Sequence, residues 1–171
     1  MLYAVGSKIV HPCYGAGTIT RIQDKTISAS SHPYYVIRTV AGGLQLMVPV
    51  NNAHTVGLRQ VGRAEELRRV LACCATLPQA EELNADARMR QAEMRLSLKS
   101  GDFAQVADVV RKLFYLNARR PLGTVDRQLF DQGKELLASE LALALDSDLE
   151  QAMQELEQHL ARMFPQEGSG L

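Results

Sequence analysis

Up to about Val61, apolar residues alternate with polar ones or gather in short runs punctuated by Gly and Pro. That pattern predicts strands over Lys8 to His11, Gly17 to Gln23, Tyr34 to Val40 and Leu44 to Val48. Ala41-Gly42-Gly43 joins the last two, because paired glycines accept the positive φ of a tight hairpin turn. Val36, Arg38 and Val40 should then alternate faces with Ile37 and Thr39. Pro49 has no N–H to donate and should stop the ladder. Four or five such strands in about sixty residues predict a small closed or half-open barrel, since only wrapping gives so short a sheet an inside.

From Arg63 onward the apolar period lengthens to that of a helix. Leu67, Val70, Leu71 and Cys74 share one face before Pro78 interrupts, and Asp86 to Leu98 forms a second, more polar helix ending at Ser100-Gly101. Asp102 with Gln105 reads as a capping box opening a third helix, whose stripe is Phe103, Val106, Val110, Leu113 and Phe114. Pro121 and Gly123 separate it from a long helix over Val125 to Leu145, buried along Leu129, Leu136, Leu137, Leu141 and Ala144. Ser147 with Glu150 reads as another capping box, before a final helix carrying Leu149, Met153, Leu156 and Leu160. The fold class expected is α+β in two domains. Residues 1–61 form the small barrel, 62–165 a compact all-α domain of about five helices, and 166–171 a flexible polar end.

Composition narrows the function. The chain has 171 residues, and 19 Lys+Arg balance 19 Asp+Glu, which excludes a uniformly basic nucleic-acid coat and an acidic disordered tail. The balance is regional: residues 1–61 carry +4, 62–120 carry +3 and 121–171 carry −7. With no Trp, any stacking falls to Tyr or Phe. Three cysteines, two of them adjacent, do not make a disulfide framework. The absence of a signal-like apolar run near the start and of a spanning stretch predicts a cytoplasmic protein with no membrane association.

Candidate chemistry is sparse. His11, Cys13 and His32 match no zinc spacing and read as turn residues. Cys73-Cys74 lacks the spacer of a redox pair and reads as helix packing. Gly15-Ala16-Gly17 reads as a turn, because no helix N-terminus follows to receive a phosphate. His54 and His159 are assigned no role. No catalytic group, metal or cofactor is predicted, nor a small-molecule substrate. The basic set Arg88, Arg90, Arg95, Lys99, Arg111, Lys112, Arg119, Arg120 and Arg127 suits phosphate contact, although interleaved Glu93 and Asp108 would equally suit a solvated helix face.

Several separated motifs in order carry a resemblance. Val5-Gly6-Ser7-Lys8-Ile9-Val10-His11-Pro12, Tyr14-Gly15-Ala16-Gly17, Tyr34-Tyr35-Val36-Ile37, Val48-Pro49-Val50-Asn51-Asn52-Ala53 and Val56-Gly57-Leu58-Arg59 resemble the N-terminal domain of the CarD/CdnL family, a module also found in transcription-repair coupling factors. Leu98-Lys99-Ser100-Gly101-Asp102, Val106-Ala107-Asp108-Val109-Val110-Arg111-Lys112-Leu113 and Leu136 to Leu145 continue it through the helical half. The resemblance implies a bacterial transcription regulator. A Tudor/SH3-like barrel would dock on the RNA polymerase β subunit, through Lys25, Ile27, Met47 and Val48. The helices would contact promoter DNA at the upstream edge of the melted region, through Arg88, Arg90, Arg119, Arg120 and Arg127. Such a protein stabilises the open complex by its differential affinity for it, without catalysis.

This sequence departs from the family pattern twice. Met47 stands where a basic residue is common, exchanging a charge-assisted contact for an apolar one. Ala87 stands where relatives carry a Trp that wedges into the minor groove, and a methyl group cannot prop a base step. Phosphate contacts alone would give weak, salt-sensitive DNA binding. The alternative reading is a protein-interaction module that binds polymerase or another partner without DNA contact. An enzyme-class reading would need a Cys/His metal or thiol site.

Overall fold

The computed structural model describes residues 2–165; Met1 and the end 166–171, including its expected flexibility, lie outside the described residues. Five antiparallel strands, β1 (Lys8–His11), β2 (Gly15–Ile27), β3 (Ser30–Thr39), β4 (Gln45–Pro49) and β5 (Arg59–Gln60), form one sheet in the order β4-β3-β2-β1-β5. A short helix, α1 (Ala53–Val56), precedes β5. Gly42 and Gly43 take positive φ between β3 and β4, as the hairpin requires. The sheet closes over Ile9, Ile19, Tyr35, Ile37, Val48, Ala53 and Leu58. Tyr3 seals one end, donating from its hydroxyl to the Leu58 carbonyl at 2.9 Å while its N–H donates to the Tyr35 hydroxyl at 3.1 Å.

Three details differ from the sequence reading. Gly15-Ala16-Gly17 is strand, paired with β1 from His11↔Gly15 to Ile9↔Gly17. Glycine is required there by close packing: a Cβ on Gly15 would lie 2.8 Å from Ser139 Oγ, and one on Gly17 2.6 Å from the Arg38 carbonyl. Second, burial does not follow the alternation of faces at Val36, which is as fully buried as Tyr35 and Ile37 although only those two join the barrel core. A register shift between Ile19 and Arg21 breaks the regular pairing beside it. Third, β2 and β3 run on past β4, pairing Asp24↔Pro33 through Ile27↔Ser30 as a two-stranded arm. Its tip, Ser28-Ala29, has positive φ at both residues, the conformation of a two-residue hairpin turn.

The helical half comprises α2 (Ala64–Cys73), α3 (Ala87–Leu98), α4 (Phe103–Arg119), α5 (Thr124–Leu145) and α6 (Leu149–Ala161). Val110, Leu113, Leu137, Leu141, Leu156 and Leu160 are buried at its centre. Gly133 lets α4 and α5 approach, since a Cβ there would lie 2.7 Å from Val110 Cγ2. Two caps differ from expectation. Asp102 does cap α4, accepting from the Ala104 N–H at 3.0 Å, but its own N–H goes to Ser100 Oγ rather than to Gln105, so the box is half formed. α6 is capped by Asp148, which accepts from the Gln151 N–H at 2.8 Å. The carboxylate displaces Ser147 from that role as the stronger acceptor, and Asp146 turns the chain in the left-handed region just before it. Of the two adjacent cysteines only Cys74 packs in the core, where burial pushes its thiol up to about 12; Cys73 is exposed, correcting the packing reading for that residue.

The sheet sits on α5 through a dense polar junction. Arg59 of β5 forms a two-pronged pair with Glu140, at 2.7 and 2.8 Å, and its Nε donates to the Gly101 carbonyl at 2.7 Å. Glu140 is only 2% exposed and also accepts from the Gly62 N–H at 2.9 Å, so the buried charge is paired and hydrogen-bonded. The Ala16 N–H donates to Ser139 Oγ at 3.1 Å. Lys8 donates to the Leu143 carbonyl at 2.9 Å and pairs with Asp146. These contacts come from both edges of the sheet's β1 region and fix it against the helices.

Candidate polymerase and nucleic-acid interfaces

Of the four residues expected to meet the polymerase, two lie on an edge strand of the sheet and two on the β2 side of the arm, with β3 between. β4 is an edge strand, with Met47 opposite Val36 and Val48 opposite Tyr35. Lys25 and Ile27 are on the arm beyond it, opposite His32 and Ser30. At ~3.3 Å per residue, Lys25 lies about 10 Å and Ile27 about 17 Å past the Val48 row. Alternation from the Val48–Tyr35–Ile22 row puts Met47, Lys25 and Ile27 on the face opposite to that of Val48. Lys25 is exposed and Ile27 is 48% exposed, an isoleucine presented to solvent on a segment that has no core of its own. Met47 is half-buried. Val48 is buried in the sheet core, so its side chain shapes β4 from within while its outer backbone edge stays open to an added strand.

The five arginines expected at DNA meet at one end of the helical bundle, where α3 and α5 start and α4 stops. Arg90, in the first turn of α3, pairs with Asp126, in the first turn of α5, at 3.1 Å, and Gln91 donates to the same carboxylate at 3.0 Å. Arg127 donates to Asn117 Oδ1 at 3.2 Å, tying α5 to the last turn of α4, which continues into Arg119 and Arg120. The positive N-terminal dipole ends of α3 and α5 are offset here by the C-terminal end of α4, so the cationic groups of this end are its arginine side chains.

The five do not play one part. Arg90 is largely buried, and its pair with Asp126 makes it a strut holding α3 to α5; its Nε has no hydrogen-bond partner among the described residues. Arg88, Arg120 and Arg127 are exposed, and none has an ion-pair partner among the described residues. Arg119 donates to the Tyr115 hydroxyl at 2.6 Å.

Elsewhere the basic set is consumed internally. Arg111 is 8% exposed and is held by Glu82, Asp108 and the Thr76 carbonyl. Burial alone would raise the Asp108 carboxyl, but Lys112 and Arg111 outweigh it and hold that carboxyl below the usual range. These residues read identically to the free arginines in sequence; only the fold separates them.

His11 accepts from the Cys13 N–H through Nδ1 at 3.1 Å, closing the turn, while His32 lies away on the arm. No group of three or more His, Cys, Asp or Glu is placed to hold a metal among the described residues. No helix among them is long and apolar enough to cross a membrane. His159, given no partner from sequence, lies 3.8 Å from Glu155 one turn back. Sequence reasoning also passed over Met89, 57% exposed beside Arg88, and Phe164, 41% exposed just past α6. The only sequence signal for either was an apolar residue on an otherwise polar face.

The family model for the CarD C-terminal domain matches residues 69–157, and the model for the CarD-like/TRCF RID domain matches residues 3–62. A curated relative from Bacillus subtilis (strain 168), named "Putative transcription factor YdeB", is 26% identical over 148 residues, covering 82% of this chain and 90% of its own length.

Proposed function

The chain belongs to the CarD family, and from that premise we propose that it is a transcription regulator that docks on the RNA polymerase β subunit and contacts upstream promoter DNA, lengthening the life of the open complex. The polymerase contact runs along β4 and the β2–β3 arm, with Lys25, Ile27 and Met47 presenting side chains and Val48 supporting the edge strand. The DNA contact is made by Arg88, Arg119, Arg120 and Arg127, with Arg90 holding the helix starts that display them.

One observation supports this reading most: arginines from three helices, scattered over forty residues of sequence, share one end of a bundle that is clamped to the sheet by a buried ion pair. A protein that grips polymerase at one site and DNA at another favours the state in which both are in reach, by its differential affinity for that state and no more. With Ala87 in place of a wedge, the DNA term rests on phosphates and falls steeply with salt.

Full-length protein titrated against the isolated β-subunit lobe tests the docking half. Saturable binding that weakens on Lys25→Glu is expected; no binding at any concentration short of aggregation overturns the assignment. The alternative, a protein-interaction module without DNA contact, predicts lobe binding of the same kind but no mobility shift of promoter DNA even at low salt.

A further inference from the structure

We propose that Phe164, backed by Tyr115 and flanked by Arg119, is a stacking platform for an unpaired base of single-stranded DNA. The inference rests on the DNA-contact reading above and names a second kind of contact at the same end of the bundle. Three residues past α6, Phe164 lies against two consecutive residues of the C-terminal half of α4: 6.2 Å from Phe114 at 32° and 6.4 Å from Tyr115 at 15°, centroid to centroid. It nevertheless remains 41% exposed. Of the nine Tyr and Phe side chains only Phe164 and Tyr14 are so open, and Tyr14 belongs to the sheet's first turn.

The surroundings select a nucleic-acid ligand. Arg119 donates to the Tyr115 hydroxyl, which sets its guanidinium, 5.6 Å from the ring centroid, at the phenol's edge, leaving it able to meet a phosphate. The exposed Arg162 lies two residues before the ring, and the exposed Arg120 follows Arg119 at the end of α4. A flat apolar face bordered by guanidinium groups is the combination that single strands use: charge tracks the backbone and the ring takes a base. Within a duplex both faces of every internal base are already stacked, so the platform distinguishes melted from paired DNA. The arginines around Arg88 and Arg127 do not.

A ring in this position also plugs the gap between α4 and α6, and two substitutions separate the roles. Phe164→Leu keeps the apolar plug and removes the π-face. Phe164→Trp keeps both and, because the chain has no other Trp, reports directly by fluorescence. In low salt, the Phe164→Trp protein should show saturable quenching with a thymidine oligonucleotide and little with a closed duplex hairpin. Phe164→Leu should bind the oligonucleotide about tenfold more weakly while its duplex affinity is unchanged. Duplex binding without oligonucleotide quenching, equal quenching by both DNAs, or an unaltered oligonucleotide affinity in Phe164→Leu would overturn the platform and leave the phosphate contacts standing. Failure of the unmodified protein to bind either DNA would remove the DNA-contact reading and the platform with it.

Discussion

Two arginines two residues apart on α3, alike in type but not in environment, show how far a residue name goes. Arg88 projects into solvent, whereas Arg90 shares a mostly buried pair with Asp126. Arg88→Ala should leave stability within about 0.5 kcal/mol and reduce the steepness of the salt dependence of DNA binding by about one counterion. Arg90→Ala strands Asp126 and should cost on the order of 2 kcal/mol, between the exposed and the fully buried limits. Urea melts read the second effect and binding titrations across a salt series the first. Acid sensitivity is likewise local. His11 and His159 both have their basicity lowered by burial, His159 further by Arg162. Their neutral forms therefore fit the fold better than their charged ones, so the stability they contribute is present above the unfolded value of about 6.5 and is lost as pH falls through it toward the lower folded values. Melting temperature should decline from pH 7.5 to pH 5, and less steeply in a His11→Gln, His159→Gln double variant; an identical decline in both would refute this source.

At the scale of elements, most of the strands and all five long helices were readable because each has a repeating apolar face and a punctuating Gly, Pro or capping residue. What escaped was structure stabilised without a core. The outer arm, Asp24 to Pro33, carries polar residues on both faces, so no period marks it as strand. It is held by its backbone ladder and its turn. That turn places Ala29 at φ 66, where a Cβ is disfavoured. Ser28→Asn with Ala29→Gly supplies the preferred residues for such a turn and should raise the melting temperature by ~2–4 °C, equivalent to about 1 kcal/mol. The reverse case is Gly15→Ala: with φ +79 and Ser139 Oγ 2.8 Å from the added carbon, it should destabilise and loosen the sheet from α5. Gly15 reads as a turn in sequence because a glycine required by a distant helix looks the same there as one required by a local bend.

On the scale of the whole molecule, the decisive contacts are those between the halves, and they were invisible in sequence. Arg59 and Glu140 lie 81 residues apart, and neither stands in a recognisable motif for pairing. Glu140→Ala leaves a part-exposed Arg59 without its carboxylate and the Gly62 N–H without its acceptor, and should cost on the order of 2–3 kcal/mol, below the fully buried limit. The candidate site was partly legible. Resemblance named the arginines and the docking residues, while only the fold divided Arg88 from Arg90 and free arginines from the consumed Arg111, and exposed Phe164. The proposed docking residues and the arginine end belong to one clamped body, which is what the proposed bridge between polymerase and DNA requires. The direct measurement is the dissociation rate of open promoter complexes challenged with competitor, with and without the full-length chain. Dissociation should be slower with the protein, reverting toward the unassisted rate for an Arg88→Ala, Arg127→Ala double variant that still binds the β lobe. An unchanged rate at concentrations that saturate polymerase would contradict it.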